Sequence, residues 1–164
     1  MTPQRRGKPI MSPDYVTGLT DGEGCFNVGI RYPKGPFKTI RVEPHFYIKL
    51  RGDNLPLLEK VKETLKCGAI YYQNEKRPNH SDCYRFEVDN IRDQKEILIP
   101  FFEKHPLLGV KKKDYLLFKQ IVELVYLKKH KDPRVIQSII GLKQKMNNRA
   151  RWVRENRSPS GNAL

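Results

Sequence analysis

An α+β fold follows from the order of elements that the sequence lays down. Stretches of alternating polar and apolar residues rich in Val, Ile, Phe and Tyr read as strands, and stretches with apolar residues at helical spacing read as helices. They follow one another as helix, two strands, helix, two strands and then helices, an αββαββα order with further helices at the C-terminal end.

The first helix opens at Ser12, whose hydroxyl can cap it; Pro13 suits its first position and Asp14 the positive end of its dipole. From Cys25 to Tyr32 the chain alternates: Phe26, Val28, Ile30 and Tyr32 share one face of a half-buried strand, and Asn27, Gly29 and Arg31 the other. The run Pro33-Lys34-Gly35-Pro36 is a turn. A second strand is expected over Lys38 to Arg51, with Ile40, Val42, Phe46, Ile48 and Leu50 on one face. Thr39, Arg41, Glu43, His45, Tyr47, Lys49 and Arg51 take the other, and Pro44 points to an edge position or a bulge. Asp53 is placed to cap a helix to about Lys66 carrying Leu57, Leu58, Val61 and Leu65, which Gly68 ends. Strands over Ala69 to Glu75 and Tyr84 to Val88 flank a polar loop at 76–82. Asn90 caps a helix over Ile91 to Lys104, and Pro106 breaks it. Lys111-Lys112-Lys113 leads into a helix to about Lys129, and a last helix spans Pro133 to Asn147. Residues 1–11 read as a basic extension, 12–147 as one domain, and 148–164 as a basic, Ser/Pro/Gly-rich tail expected to be disordered.

The chain has 164 residues, enough for one domain with its own core, and a net charge of +14. Such an excess concentrates polyanions and speeds their encounter, which points to nucleic acid. No apolar run approaches the roughly 20 residues that span a bilayer, so no membrane partner is expected. The basic first residues lack the apolar core of a secretory signal. The three cysteines are far apart and the four histidines scattered, which favours reduced thiols over a zinc site or a disulfide framework.

The stretch that carries chemistry is Ser12 to Phe26. Asp21 and Glu23 fall at the negative end of the first helix, where carboxylates are disfavoured, and Gly18, Gly22 and Gly24 let backbones come close around them. Acids crowded there call for a compensating cation. At these residues, Val16-Thr17-Gly18-Leu19-Thr20-Asp21-Gly22-Glu23-Gly24, the chain resembles the LAGLIDADG homing endonucleases. Two glycines, the central leucine and both acidic positions match; Val16, Thr17 and Thr20 depart from the motif, and Glu23 replaces an aspartate.

The resemblance implies a curved antiparallel sheet forming a DNA-binding saddle. It also implies a site-specific endonuclease that cuts a long pseudo-palindromic duplex with a divalent metal. Mg²⁺ is the expected ion, and Mn²⁺ or Ca²⁺ could replace it in binding. One motif per chain implies a homodimer, with Tyr15, Gly18, Leu19 and Gly22 at its interface. Glu23 is then the main metal ligand and the Gly22 carbonyl a second, with Asp21 supporting the helix end. Lys111 matches the family's basic residue beside the scissile phosphate, and Lys49 and Arg51 stand where the family often carries a glutamine. The DNA-reading set is Asn27, Arg31, Lys34, Lys38, Arg41, His45, Tyr47, Lys49, Arg51, Tyr71, Gln73, Glu75, Arg77, Arg85 and Glu87, with Lys111 and further lysines and arginines from Lys128 onward on phosphates. A binding protein on the same scaffold, an intron RNA maturase or a transcription factor, is the alternative. The compartment is expected to be intracellular, a bacterial cytoplasm or an organelle.

Overall fold

The computed structural model describes residues 10–36, 39–74, 76 and 81–147. Helix α1 (Pro13–Glu23) runs without a loop into strand β1 (Gly24–Arg31), followed by β2 (Arg41–Arg51), helix α2 (Leu55–Leu65), and strands β3 (Ala69–Gln73) and β4 (Cys83–Val88). Next come α3 (Ile91–Asp93), a π-helical turn (Gln94–Leu98) and α4 (Ile99–Lys104), which continue one another, and then α5 (Lys111–Tyr126) and α6 (Pro133–Gln144). The strands form one antiparallel sheet in the order β1-β2-β4-β3. The α+β class and the αββαββα order are therefore observed.

The period-2 pattern sets the two faces. Phe26, Val28, Val42, Phe46, Ile48, Phe86 and Val88 are buried on the side covered by the helices, against Leu58 and Val61 of α2, Phe102 of α4, and Phe118, Ile121 and Val122 of α5. Phe26 is the hub: its ring centroid lies 5.0–5.7 Å from those of Phe46, Phe102, Tyr115 and Phe118. Those are the separations at which tilted and edge-on aromatic pairs attract. Among the described residues the opposite face carries the polar set.

The element boundaries shift from the sequence reading where local chemistry competes. Asp53 caps no helix: Gly52–Asn54 is a 3-10 turn, α2 starts at Leu55 with Pro56 in its first turn, and Asp53 pairs with Arg51 instead. The helix ends with Lys66 in the left-handed conformation (φ 59°), two residues before the expected Gly68. Gly68 is needed for another reason. Its φ is +82°, and a Cβ there would stand 2.6 Å from the Phe86 ring and 2.7 Å from the Glu87 carbonyl.

Pro44 sits in a central strand with no bulge, directly opposite Val28. The β4 ladder begins at Phe46–Val88, so Pro44 lies just past its end. There the fully buried Gln94 substitutes for a strand partner, its Nε2 donating to the Pro44 carbonyl (2.7 Å) and the Val88 carbonyl (2.9 Å). The π-helical turn places Gln94 at this gap.

Candidate catalytic helix end and nucleic-acid interface

Helix α1 turns Val16, Thr17 and Thr20 into its own domain. The two threonines that depart from the motif are satisfied there. Thr20 Oγ1 donates to the Val16 carbonyl (2.8 Å), and Thr17 Oγ1 to the carbonyls of Pro13 (3.0 Å) and His105 (3.3 Å). Tyr15, Gly18 and Gly22 face outward, with Leu19 half-buried at their side. A Cβ on Gly18 or Gly22 would meet nothing within 4 Å, so neither glycine answers to a contact within the described chain. Gly24 is different: a Cβ there would lie 2.7 Å from Thr20, which makes it the residue that lets the helix turn directly into β1.

The end of α1 is held by the segment leading into α5. Asp21 accepts from the backbone N–H groups of Leu108 (2.9 Å, to Oδ2) and Gly109 (3.1 Å, to Oδ1). Lys111 is almost fully buried, and its Nζ donates to the carbonyls of Gly22 (2.8 Å) and Thr20 (3.2 Å). A cation does compensate this helix end, and it is a lysine of the same chain. Lys111 opens α5, and its side chain reaches back to cap the C-terminal end of α1. Glu23 is exposed beside it. Neither clasp was visible in the sequence, because both partners are nearly ninety residues away; only the excess of acid over base at the helix end hinted at one.

The polar sheet face begins at this helix end. Gly24 pairs with Ile48, so Lys49 stands one residue beyond the last β1 pair, across from Arg85. Cross-strand pairs Cys25–Tyr47, Asn27–His45, Gly29–Glu43 and Arg31–Arg41 line one half of the face; Tyr47–Glu87, Lys49–Arg85, Tyr71–Arg85 and Gln73–Cys83 line the other. Two carboxylates organise the basic side chains of this face. Glu43 takes Arg31 (2.6 Å) and Arg41 (2.9 Å), while Glu87 takes His45 (2.6 Å) and Arg85 (3.0 Å). The Arg85 guanidinium lies 3.7 Å from the centroid of the Tyr47 ring, a close cation–π contact. Burial, and then a hydrogen bond with Cys25, push the Tyr47 hydroxyl up to about 12, so it stays protonated. Such a network fixes the heads of long side chains before any ligand arrives.

Lys34 lies on the β1–β2 connection, and Lys128, Lys129 and Lys131 on the turn between α5 and α6. Lys38, Glu75 and Arg77, and the arginines of the 148–164 tail, lie outside the described residues. Among the described residues no helix is long and apolar enough to cross a membrane. No group of three or more His, Cys, Asp and Glu side chains is gathered there that could by itself hold a metal.

Comparison with known proteins finds relatives by sequence and by fold. Over 138 residues the chain is 31% identical to "Probable intron-encoded endonuclease 3" of Neurospora crassa, covering 84% of this chain and 25% of that protein. It spans a quarter to two-fifths of the curated relatives it matches. In three dimensions it superposes on I-SmaMI, a LAGLIDADG homing endonuclease solved with cleaved DNA (TM-score 0.77, 29% identity, 84% of this chain and 44% of that one), and also solved with an uncleaved target in the presence of calcium ions (0.75, 25%, 88% and 48%). It superposes equally on the homing endonuclease I-TnaI (0.73, 29%), covering 88% of this chain and 95% of that chain. The sequence model of the LAGLIDADG endonucleases matches residues 16–122, from the first buried residue of α1 to the core of α5, and this chain belongs to that family.

Proposed function

We propose that the protein is a site-specific double-strand DNA endonuclease acting as a pair of like units, with one acidic helix end for each strand. The observation that carries this reading is α1 itself. It exposes a Tyr15–Gly18–Gly22 face whose glycines have no contact of their own, and it ends in the exposed Glu23 at the margin of the polar sheet. Gly18 lies in the exposed helix interior, where glycine costs roughly 1 kcal/mol relative to alanine, and Gly22 follows it on the same face in the last turn. A second helix packed against this face accounts for the pair. The match of this chain to 95% of I-TnaI but only 44% of I-SmaMI supports a two-unit arrangement.

The donors offered at the helix end are oxygens, the Glu23 carboxylate and the Gly22 carbonyl, a set suited to a hard cation such as Mg²⁺. Two oxygens cannot enclose such a cation; phosphate, water and the second unit would complete its shell. When bound, the metal would activate water and stabilise charge on the phosphate and the leaving oxygen. The chain's own residues do the rest. Asp21 fixes the segment 107–110 against α1, and the β1–β2–β4–β3 face lays Arg31, Arg41, Tyr47, Lys49 and Arg85 along the duplex, where their donors and rings meet base edges and phosphates. Lys34 and the Lys128–Lys131 turn extend the positive surface.

The test is incubation with a randomised duplex library and Mg²⁺, followed by sequencing of cleaved ends. Recovery of one long, two-fold-related site is the expected result. Selection of a site without cleavage would favour a transcription factor, and no selection from DNA but capture of intron RNA would favour a maturase.

A further inference from the structure

We infer that Lys111 is the resident cation of the metal-free helix end, and that a divalent ion binds Gly22 only as the Lys111 ammonium gives that carbonyl up. The inference rests on the metal-dependent reading above and concerns how that site is kept before it is loaded. A buried lysine needs partners, and Lys111 has found them at the negative end of the α1 dipole: the Gly22 carbonyl and the Thr20 carbonyl, which also accepts from the Gly24 N–H. The expected second metal ligand is one of these two oxygens. A divalent ion bonded to the Gly22 oxygen at roughly 2.0–2.6 Å, with the Nζ at 2.8 Å on the other lone pair, would stand only about 4.5 Å from the ammonium.

A double and a single positive charge that close, in a partly desolvated place, repel strongly. The clasp and the metal therefore exclude each other at full occupancy. The remaining geometry lets the exchange happen without unfolding. Asp21 holds the segment before α5 through backbone N–H groups, so the position of residue 111 does not depend on its own side chain. A lysine head on a four-carbon stem can swing away while its Cα stays in place. Released, it is a point charge beside the loaded site, where charge would develop on a phosphate. The positioning role in the free chain and a role during reaction are thus two states of one residue.

Gly22–Glu23 is the chain's single Gly-Glu pair, so labelling with 1-¹³C glycine and ¹⁵N glutamate isolates one carbonyl–amide resonance, that of Gly22. This resonance is followed while Ca²⁺ alone is added at constant ionic strength. In the wild-type chain it should titrate, with the Lys111 ε-methylene signal moving at the same midpoint. In Lys111→Met, which keeps length and loses charge, the midpoint should fall at least about tenfold. Lys111→Arg should move it back toward the wild-type value. Lys112→Met, an exposed neighbour with the same change in net charge, should stay within about twofold of wild type.

A Gly22 resonance that titrates with an equal or higher midpoint in Lys111→Met would overturn the inference and leave the metal site standing. Should that variant not fold, a wild-type Lys111 signal that stays fixed while Gly22 titrates would overturn it equally. Absence of any Gly22 response in every folded protein would overturn both the inference and the metal reading.

Discussion

Gly18→Ala should make one copy of the chain more stable and a pair of copies less so. In the single chain the new methyl meets nothing within 4 Å. The helix then gains the difference between glycine and alanine, roughly 0.8–1 kcal/mol. For a chain of 164 residues that corresponds to a rise of roughly 2–4 °C in melting temperature. In a two-fold helix–helix contact the same methyl enters twice, once from each copy. At about 1–3 kcal/mol for each overpacked site, pairing weakens by roughly 2–6 kcal/mol, or from about thirtyfold to over ten-thousandfold in Kd. Sedimentation velocity over a concentration series gives the Kd, and melting at a dilution where wild type is monomeric gives the single-copy term. A variant that melts higher and pairs as tightly as wild type would remove α1 from the interface. One that melts lower would show that Gly18 has a partner within the chain.

Glu23→Gln keeps volume and loses charge, so cleavage should disappear while duplex binding persists; cleavage at the parental rate would refute Glu23 as a metal ligand. Ile48 is fully buried between β1 and β4, and Ile48→Ala should cost about 2–5 kcal/mol in denaturant unfolding. Arg41→Ala on the opposite face should cost less than about 1 kcal/mol and alter duplex affinity instead, since the Arg41 side chain is largely solvent-exposed and Glu43 keeps Arg31 as its partner. Equal losses would mean a one-residue slip of the strand register. Burial pushes the Cys67 thiol up to about 12, which keeps it protonated and unreactive at pH 8. In timed alkylation read by mass spectrometry, Cys67 should therefore lag behind the partly exposed Cys25 and Cys83 until the chain is denatured.

The order of elements and the two faces of the sheet were legible because both follow from short-range periodicity. Phe26, Val28, Phe46, Ile48 and Phe86 alternate with polar residues, and burying one set exposes the other. The acidic helix end was legible as a local misfit between charge and dipole. Its resolution was not, since nothing near Asp21 in the sequence announces Leu108, Gly109 or Lys111. Pro44 shows the same limit. Local chemistry predicts an edge or a bulge, while the observed solution is a glutamine from a π-helical turn fifty residues later. Asp53 failed for a different reason: a 3-10 turn and Arg51 offered its carboxylate another use.

The contacts of Asp21 and Lys111 join segments 87 to 91 residues apart. During synthesis the motif helix therefore leaves the ribosome long before the residues that fasten its end. A nascent chain stalled or cut anywhere before residue 108 carries the acidic motif with no clasp and lacks the whole of α5 beneath β1. Messages truncated at any earlier point would then yield inert fragments rather than a loosely assembled enzyme, so a protein proposed to cut duplex DNA completes its site only after most of the domain has been read.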